Sequence, residues 1–274
     1  MESVRFYKYT ATGNDFVLFD EKEIGEFDLS SDEIIRICDR HFGIGADGVL
    51  VISGSDENDF GLRFFNPDGT SGMLCANGSR CAVHYALKAG YFNGSNAVFS
   101  ANGEKYSAYV ESENIVSLKL NDLEISVKAL SVETDGVSAN GYFVDTGAPH
   151  FVIDVSETGC RSLNDVDVKL LGAKFCKAEF FQPEETNVDF IEVADGSVKM
   201  RTFERGVENE TLSCGTGAIA AGLIAGSVYG LAAPIKIEMP GGTAVVDFNS
   251  SEDFVSLTGK IQLIYEGKIY LDRG

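Results

Sequence analysis

Ser213-Cys214-Gly215-Thr216-Gly217 leads directly into Ala218-Ile219-Ala220-Ala221-Gly222-Leu223-Ile224-Ala225-Gly226. A small, polar, glycine-punctuated turn meets a run that is apolar on every side. A helix of that composition is a buried one. Cys214 then falls at the helix N-terminus. There the unpaired N–H groups and the positive end of the dipole favour an anion, either a thiolate or a bound carboxylate. A cysteine in that place is expected to have a lowered thiol pKa. The alternative is a small buried hydrophobe without chemistry.

The same design occurs a second time. Asp68-Gly69-Thr70-Ser71-Gly72-Met73-Leu74-Cys75-Ala76-Asn77-Gly78-Ser79-Arg80 is a Gly-rich approach, a Cys-x-x-Gly, and a helical run to Lys88, with Gly90 as C-cap. A second pair supports the repeat. Thr12-Gly13-Asn14-Asp15-Phe16-Val17 parallels Thr146-Gly147-Ala148-Pro149-His150-Phe151, and in each half the Thr-Gly pair precedes the cysteine. The chain reads as two similar halves, each with one cysteine at a helix mouth. Two related domains facing each other would bring both thiols to one cleft.

Bulk properties narrow the classes. A chain of 274 residues has room for two modest domains, each with its own core. The formal charge of -20 argues against nucleic acid or an anionic membrane as partner, and suits a cytoplasmic protein. Met1-Glu2-Ser3-Val4-Arg5 runs into a strand pattern with no signal peptide, and no apolar stretch reaches membrane-spanning length. The six cysteines lack framework spacing and read as reduced thiols. Without a Cys-x-x-Cys pair, and with only three histidines, no metal site is expected.

Phe6–Tyr9 and Phe16–Phe19 read as strands around a turn, and Ser31–His41 as a helix with Ile34, Ile35 and Cys38 on one face. Gly43–Gly48 is a Gly-rich loop before the strand Val49–Ile52. As a phosphate cradle it lacks the Gly-Lys-Ser/Thr ending. Alternation continues from Ala97 to Ile125, and polar Ser126–Asn140 holds the expected junction. The second half offers a helix over Ser162–Leu171 and strands over Ala178–Phe181, Val188–Val193, Val198–Phe203, Ile235–Met239, Ala244–Phe248, Val255–Gly259 and Ile261–Tyr265. The expected domains are 1–125, with the tail 266–274 returning to it as a strand, and 126–265. Each half is several strands around one buried helix, an α+β pattern and not a doubly wound one.

The chain resembles the diaminopimelate epimerases, PLP-independent epimerases of lysine and peptidoglycan precursor synthesis. The resemblance rests on Gly13-Asn14-Asp15-Phe16, Arg40-His41-Phe42-Gly43-Ile44-Gly45-Ala46-Asp47, Phe65-Asn66-Pro67-Asp68-Gly69, Cys75-Ala76-Asn77-Gly78-Ser79-Arg80-Cys81, Pro149-His150, Glu204-Arg205-Gly206, Ser213-Cys214-Gly215-Thr216-Gly217-Ala218 and Pro240-Gly241-Gly242, in the family order. It implies two pseudo-symmetric domains, each a mixed or antiparallel sheet or barrel around a central helix, with the active site in the cleft between them. It implies no cofactor, an amino-acid substrate, and Cys75 and Cys214 as the acid–base pair. His150 would tune Cys75, and Glu204 would tune Cys214. The backbones of Ala76, Asn77, Gly215 and Thr216 would hold the reacting carboxylate. Asn14, Asn66, Asn187, Glu204 and Arg205 would read the distal amino-acid end. Whether the protein is a homodimer stays open.

The chemistry of the residues agrees. Inverting an α-carbon takes a proton from one face and returns one to the other, and cysteine, with an ordinary pKa of about 8.5, suits both steps. One thiolate and one thiol then titrate as a coupled pair. Two positions depart from the family pattern. Ala76 stands where Gly is common, and Ala148 stands where an Asn would supply a side-chain amide to the substrate's distal end. Ala148 keeps open a racemase of another amino acid, such as histidine. A cytosolic thiol redox protein is the reading from a different class.

Overall fold

The structure, a computed structural model, describes residues 2–25, 28–72, 74–121, 126–249 and 254–271. Met73, inside the first cysteine motif, and residues 122–125, at the expected domain border, lie outside the described residues. In chain order the strands and helices are β1 Glu2–Ala11, β2 Asn14–Asp20, α1 Glu21–Ile24, α2 Ser31–Cys38, β3 Gly48–Ser53, β4 Phe60–Phe65, α3 Ala76–Lys88, β5 Asn96–Ala101, β6 Glu104–Ser112 and β7 Ile115–Asn121. They continue with β8 Lys128–Thr134, β9 Val137–Asp145, β10 Pro149–Asp154, α4 Val168–Cys176, β11 Asn187–Ala194, β12 Ser197–Glu204, β13 Asn209–Thr211, α5 Gly215–Ser227, β14 Ile235–Met239, β15 Gly242–Asn249 and β16 Phe254–Leu271. The chain divides into two compact units, one of residues 1–119 with 259–274 and one of residues 120–258. No helix among the described residues is long and apolar enough to cross a membrane.

In the first unit the strand order is β1-β2-β3-β4-β5-β6-β7-β16, and β16 pairs back onto β1, so the eight strands close into a barrel. The turn Thr12-Gly13 joins β1 to β2 with φ of 49° and 87°, the two positive angles of a type I′ hairpin turn, which matches strand twist. The inner helix is α3, buried from Ala76 to Ala86. The middle strands are buried on both faces. On β2, Phe16 and Leu18 alternate with Val17 and Phe19, all fully buried. The second of these sets joins Ile34, Ile37, Val49 and Val51 in a core under α2. Ser30 and Glu33 start α2 with a reciprocal capping box.

Two expectations about α2 change here. The face of α2 that packs inward is Ile34, Ile37 and Cys38, at helical spacing, and Ile35 points outward at 45% exposed. The helix stops at Cys38 because Asp39 turns the chain and accepts from the amides of His41 and Phe42, both at 2.7 Å. The Gly-rich loop is no phosphate cradle. Its amides close the end of α2 and join β2: Gly43 N–H donates to Asp39, Ile44 and Gly45 to Ile37, Ala46 to Cys38 and Asp47 to Asp15. A cradle needs those N–H groups pointing outward.

In the second unit the strand order is β15-β14-β12-β11-β10-β9-β8, with β13 beside β12. The middle strand β11 has two faces of different character. Val188 and Phe190 enter a core with Phe151, Val168, Phe175, Phe181 and Phe203 under α4. The alternate residues Asn187 and Asp189 lie on the other face, the one that packs against α5. That helix is buried from Gly217 to Ala225. Gly222 lets it come close: a Cβ there would fall 2.8 Å from Val246 Cβ.

Elsewhere in the second half the elements also differ from those expected. Ala178–Phe181, expected as a strand, continues the turn after α4 as a 3-10 helix over Glu179–Phe181. Ala178, Phe181 and Gln182 each donate three residues back, which drives Phe181 into the core and leaves Phe180 outside. The helix expected over Ser162–Leu171 is a 3-10 turn at Leu163–Asp165 followed by α4, with Asp167 as N-cap. Polar 126–140 folds as the β8–β9 hairpin. Val255–Gly259, Ile261–Tyr265 and the tail as far as Leu271 are one continuous strand, β16, with a register shift opposite Lys8/Tyr9.

Candidate active site

In the first unit Cys75 is the N-cap of α3, and its Sγ accepts from the Gly78 amide at 3.4 Å. The side chain of Asn14, on the β1–β2 turn, faces it: Cys75 Sγ is 3.9 Å from Asn14 Oδ1, and Asn77 Nδ2 donates to the same oxygen at 3.3 Å. Asn14 Nδ2 donates to Asp47 at 2.9 Å. Behind this row lies an ion network. Lys8, Arg40, Asp15 and Asp47 interlock, with Lys8 Nζ also donating to the Gly45 carbonyl. Burial opposes ionisation of Asp15, but Arg40 and Lys8 outweigh it and hold its carboxyl down at about 2. Arg80, fully buried, folds back along α3 to donate to the Ala76 carbonyl at 3.3 Å and to Asn77 Oδ1. Asn66 Nδ2 donates within its own turn to Thr70 Oγ1 at 3.0 Å.

In the second unit Cys214 is the N-cap of α5 and is 5% exposed. Its Sγ lies 3.4 Å from Thr216 Oγ1. His150, fully buried on β10, has Nε2 2.9 Å from the same Thr216 oxygen and Nδ1 2.7 Å from Asp189 Oδ2. Asn187 Nδ2 donates to the Pro149 carbonyl at 3.0 Å and lies 3.5 Å from His150 Nε2. Asn187 Oδ1 accepts from the Arg205 amide at 3.0 Å, and the Arg205 guanidinium donates to the carbonyls of Glu184 and Glu185. Burial, and then the charges of Glu204 and Asp189, push the Cys214 thiol well above its ordinary value. The helix start by itself predicts the opposite sign.

The expected residues thus fall into two groups, each built inside one unit. Asn14, Cys75, Ala76 and Asn77 come together in the first, and Asn66 bonds within its own turn. His150, Asn187, Arg205, Cys214, Gly215 and Thr216 come together in the second, and Glu204 acts on Cys214 by its charge. Every hydrogen-bond partner named above for His150 is on the Cys214 side. Reading the sequence misses Asp189, Thr202 and the hydroxyl of Thr216. Asp189 left a signal: it is a carboxylate between Val188 and Phe190 in an apolar strand, in phase with Asn187.

Each strand-rich unit thus buries one helix capped by a cysteine. A probable proline racemase from Agrobacterium radiobacter superposes with a TM-score of 0.71 over 98% of this chain and 93% of that one, at 14% identity, a likeness of fold alone. The family description "Diaminopimelate epimerase" matches residues 6–124 and 142–264. A diaminopimelate epimerase from Aquifex aeolicus is 35% identical over 280 residues, covering 97% of this chain and 98% of that protein. Another, from Chlorobaculum tepidum, is 36% identical over 270 residues, covering 96% and 100%. The chain belongs to the diaminopimelate epimerase family.

Proposed function

We propose that the protein interconverts LL- and meso-2,6-diaminopimelate with two cysteine acid–base groups, Cys75 and Cys214. The observation that carries this is the pair of cysteine N-caps, one on each buried helix, in a chain of this family. A thiolate takes the α-proton from one face, and the other thiol delivers a proton to the opposite face. The developing negative charge spreads onto the substrate carboxylate. The first-turn amides of α3 and α5, at Ala76, Asn77, Gly215 and Thr216, are the donors suited to hold it. Glu204 sets the acidity of Cys214, and His150 tunes a thiol, which by the family resemblance is Cys75. Asn14, Asn66, Asn187, Glu204 and Arg205 read the distal end, where Arg205 is the cation for a second carboxylate. The six free cysteines support a cytoplasmic location.

Incubation with each amino acid in deuterated water tests the substrate. Deuterium entering both diaminopimelate isomers, and not histidine, is the expected result. Ala148 favours the second reading, a racemase of another amino acid, because it brings no side-chain amide to its turn. Exchange into histidine alone replaces the first reading by that one.

A further inference from the structure

In the second unit three strands and a helix start bring a line of polar side chains together below the surface. Asp189, fully buried on β11, has Oδ2 2.7 Å from His150 Nδ1, while Oδ1 accepts from Thr202 Oγ1 at 2.6 Å. Cross-strand pairing of Asp189 with Thr202, and of His150 with Asn187, fixes the placement. The start of α5 is seated on the carboxylate so closely that a Cβ at Gly217 would fall 2.7 Å from Asp189 Oδ1. From His150 Nε2 the line continues 2.9 Å to Thr216 Oγ1 and 3.4 Å to Cys214 Sγ.

We propose that Asp189 and Thr216 are positioning residues for the Cys214 thiol: Asp189 fixes the tautomer of His150, and the Thr216 hydroxyl turns between His150 and Cys214 as the thiol loses and regains its proton. This rests on the reading of Cys214 as an acid–base group. A carboxylate only accepts, so His150 carries a proton on Nδ1, and in the neutral ring Nε2 is then an acceptor. The single hydroxyl proton of Thr216 then points at Nε2, and its lone pair faces the S–H of Cys214. When Cys214 gives its proton to the substrate carbon, the sulfur becomes an anion in a buried place, with Asp189 and Glu204 as neighbouring charges. The hydroxyl rotates and donates to it. The proton stays on the Thr216 oxygen, so nothing is transferred along the line. His150 Nε2 keeps a donor within reach, Asn187 Nδ2 at 3.5 Å. Thr216 thus offsets at the thiolate stage what burial and the two carboxylates impose.

The test reads the thiolate directly, without substrate. Cys214 in the whole protein is alkylated by iodoacetamide at about pH 8 and followed by peptide mass spectrometry, with Cys160 as reference in the same digest. Thr216→Val and Thr216→Ala should each slow Cys214 about tenfold, one pKa unit, and Thr216→Ser should keep the wild-type rate. Thr216→Ala also opens room, so a mere gain of access would read in the opposite direction. Asp189→Asn should speed Cys214 about tenfold, and in 15N-histidine spectra should shift the His150 proton off Nδ1. An unchanged or faster Cys214 in both Thr216→Val and Thr216→Ala overturns the proposal. So does an Nε2–H tautomer in the wild type. Because no substrate takes part, failure of the epimerase assay leaves these outcomes standing, and their failure leaves that assay standing.

Discussion

A sulfur at an N-cap is pulled two ways, and the two cysteines resolve the pull differently. Cys75 takes a backbone donor from its own helix, whereas Cys214 is paired with a hydroxyl and flanked by carboxylate charge. Cys75→Ser and Cys214→Ser each keep the shape of the site and replace the thiol by a group that ionises far outside the neutral range. Each should lower epimerisation about 10²–10⁴-fold, with the loss in kcat and little change in KM, measured by conversion of LL-diaminopimelate. Near-normal turnover in either variant rules out a two-thiol reaction. Glu204→Gln removes a like charge that raises the Cys214 thiol, so alkylation of Cys214 at fixed pH should speed up even as turnover falls. At this scale the sequence showed its cysteines clearly, because Cys-x-x-Gly beside a helix start is local. It did not show Asp189, whose meaning depends on β10, β12 and α5 arriving around it. Nor did it show how deeply Cys214 is buried.

Helices were legible where composition and cap agree. The run after Cys214 is apolar all round and lies buried as α5, and Ser30 with Glu33 marks the start of α2. Elements defined by context were not. Phe180-Phe181 has strand composition but forms a 3-10 turn, because one ring has a core pocket and its neighbour does not. Likewise the apolar pieces from Val255 to Leu271 look like separate strands in sequence, yet they run as one, of which 261–271 pairs with β1. The packing of α5 gives a stability test. Gly222→Ala gains about 0.5–1 kcal/mol of helix propensity, but its methyl meets Val246 at 2.8 Å, and overpacking costs about 1–3 kcal/mol. A net loss of about 1–2 kcal/mol is expected by urea unfolding. A stabilised variant would show that β15 gives way.

At the scale of the molecule, the repeat seen in the sequence corresponds to two units that each wrap strands around a helix capped by cysteine. What the repeat could not convey is that the first unit closes as a barrel, since closure is a property of long-range pairing. The barrel also holds a histidine that titrates against its fold. His84 sits inside α3 with Nδ1 3.2 Å from the Tyr9 hydroxyl, and burial pulls its pKa from 6.5 down to about 4. Its folded value lies below the unfolded one, so the unfolded chain binds more protons between the two. Stability from this group is full above pH 6.5 and is lost as the pH falls toward 4, by on the order of 3 kcal/mol. His84→Gln should flatten thermal midpoints across that window. An equally steep decline in the variant would assign the loss to other groups.

The strand that closes the barrel has a consequence for synthesis. β1 pairs with residues 261–271, and the whole second unit is encoded between them. A ribosome therefore makes the first seven strands and then all of the second unit before the first sheet can shut. Throughout that interval β1 and β7 are open edges, the kind that invites pairing with other chains. The second unit, continuous in sequence, is free to fold first, so the half translated earlier is the half completed later. Nascent chains stalled beyond residue 258 should resist protease in the second unit while the first is still cut. The order of domains on the messenger and the order of folding would then run in opposite directions.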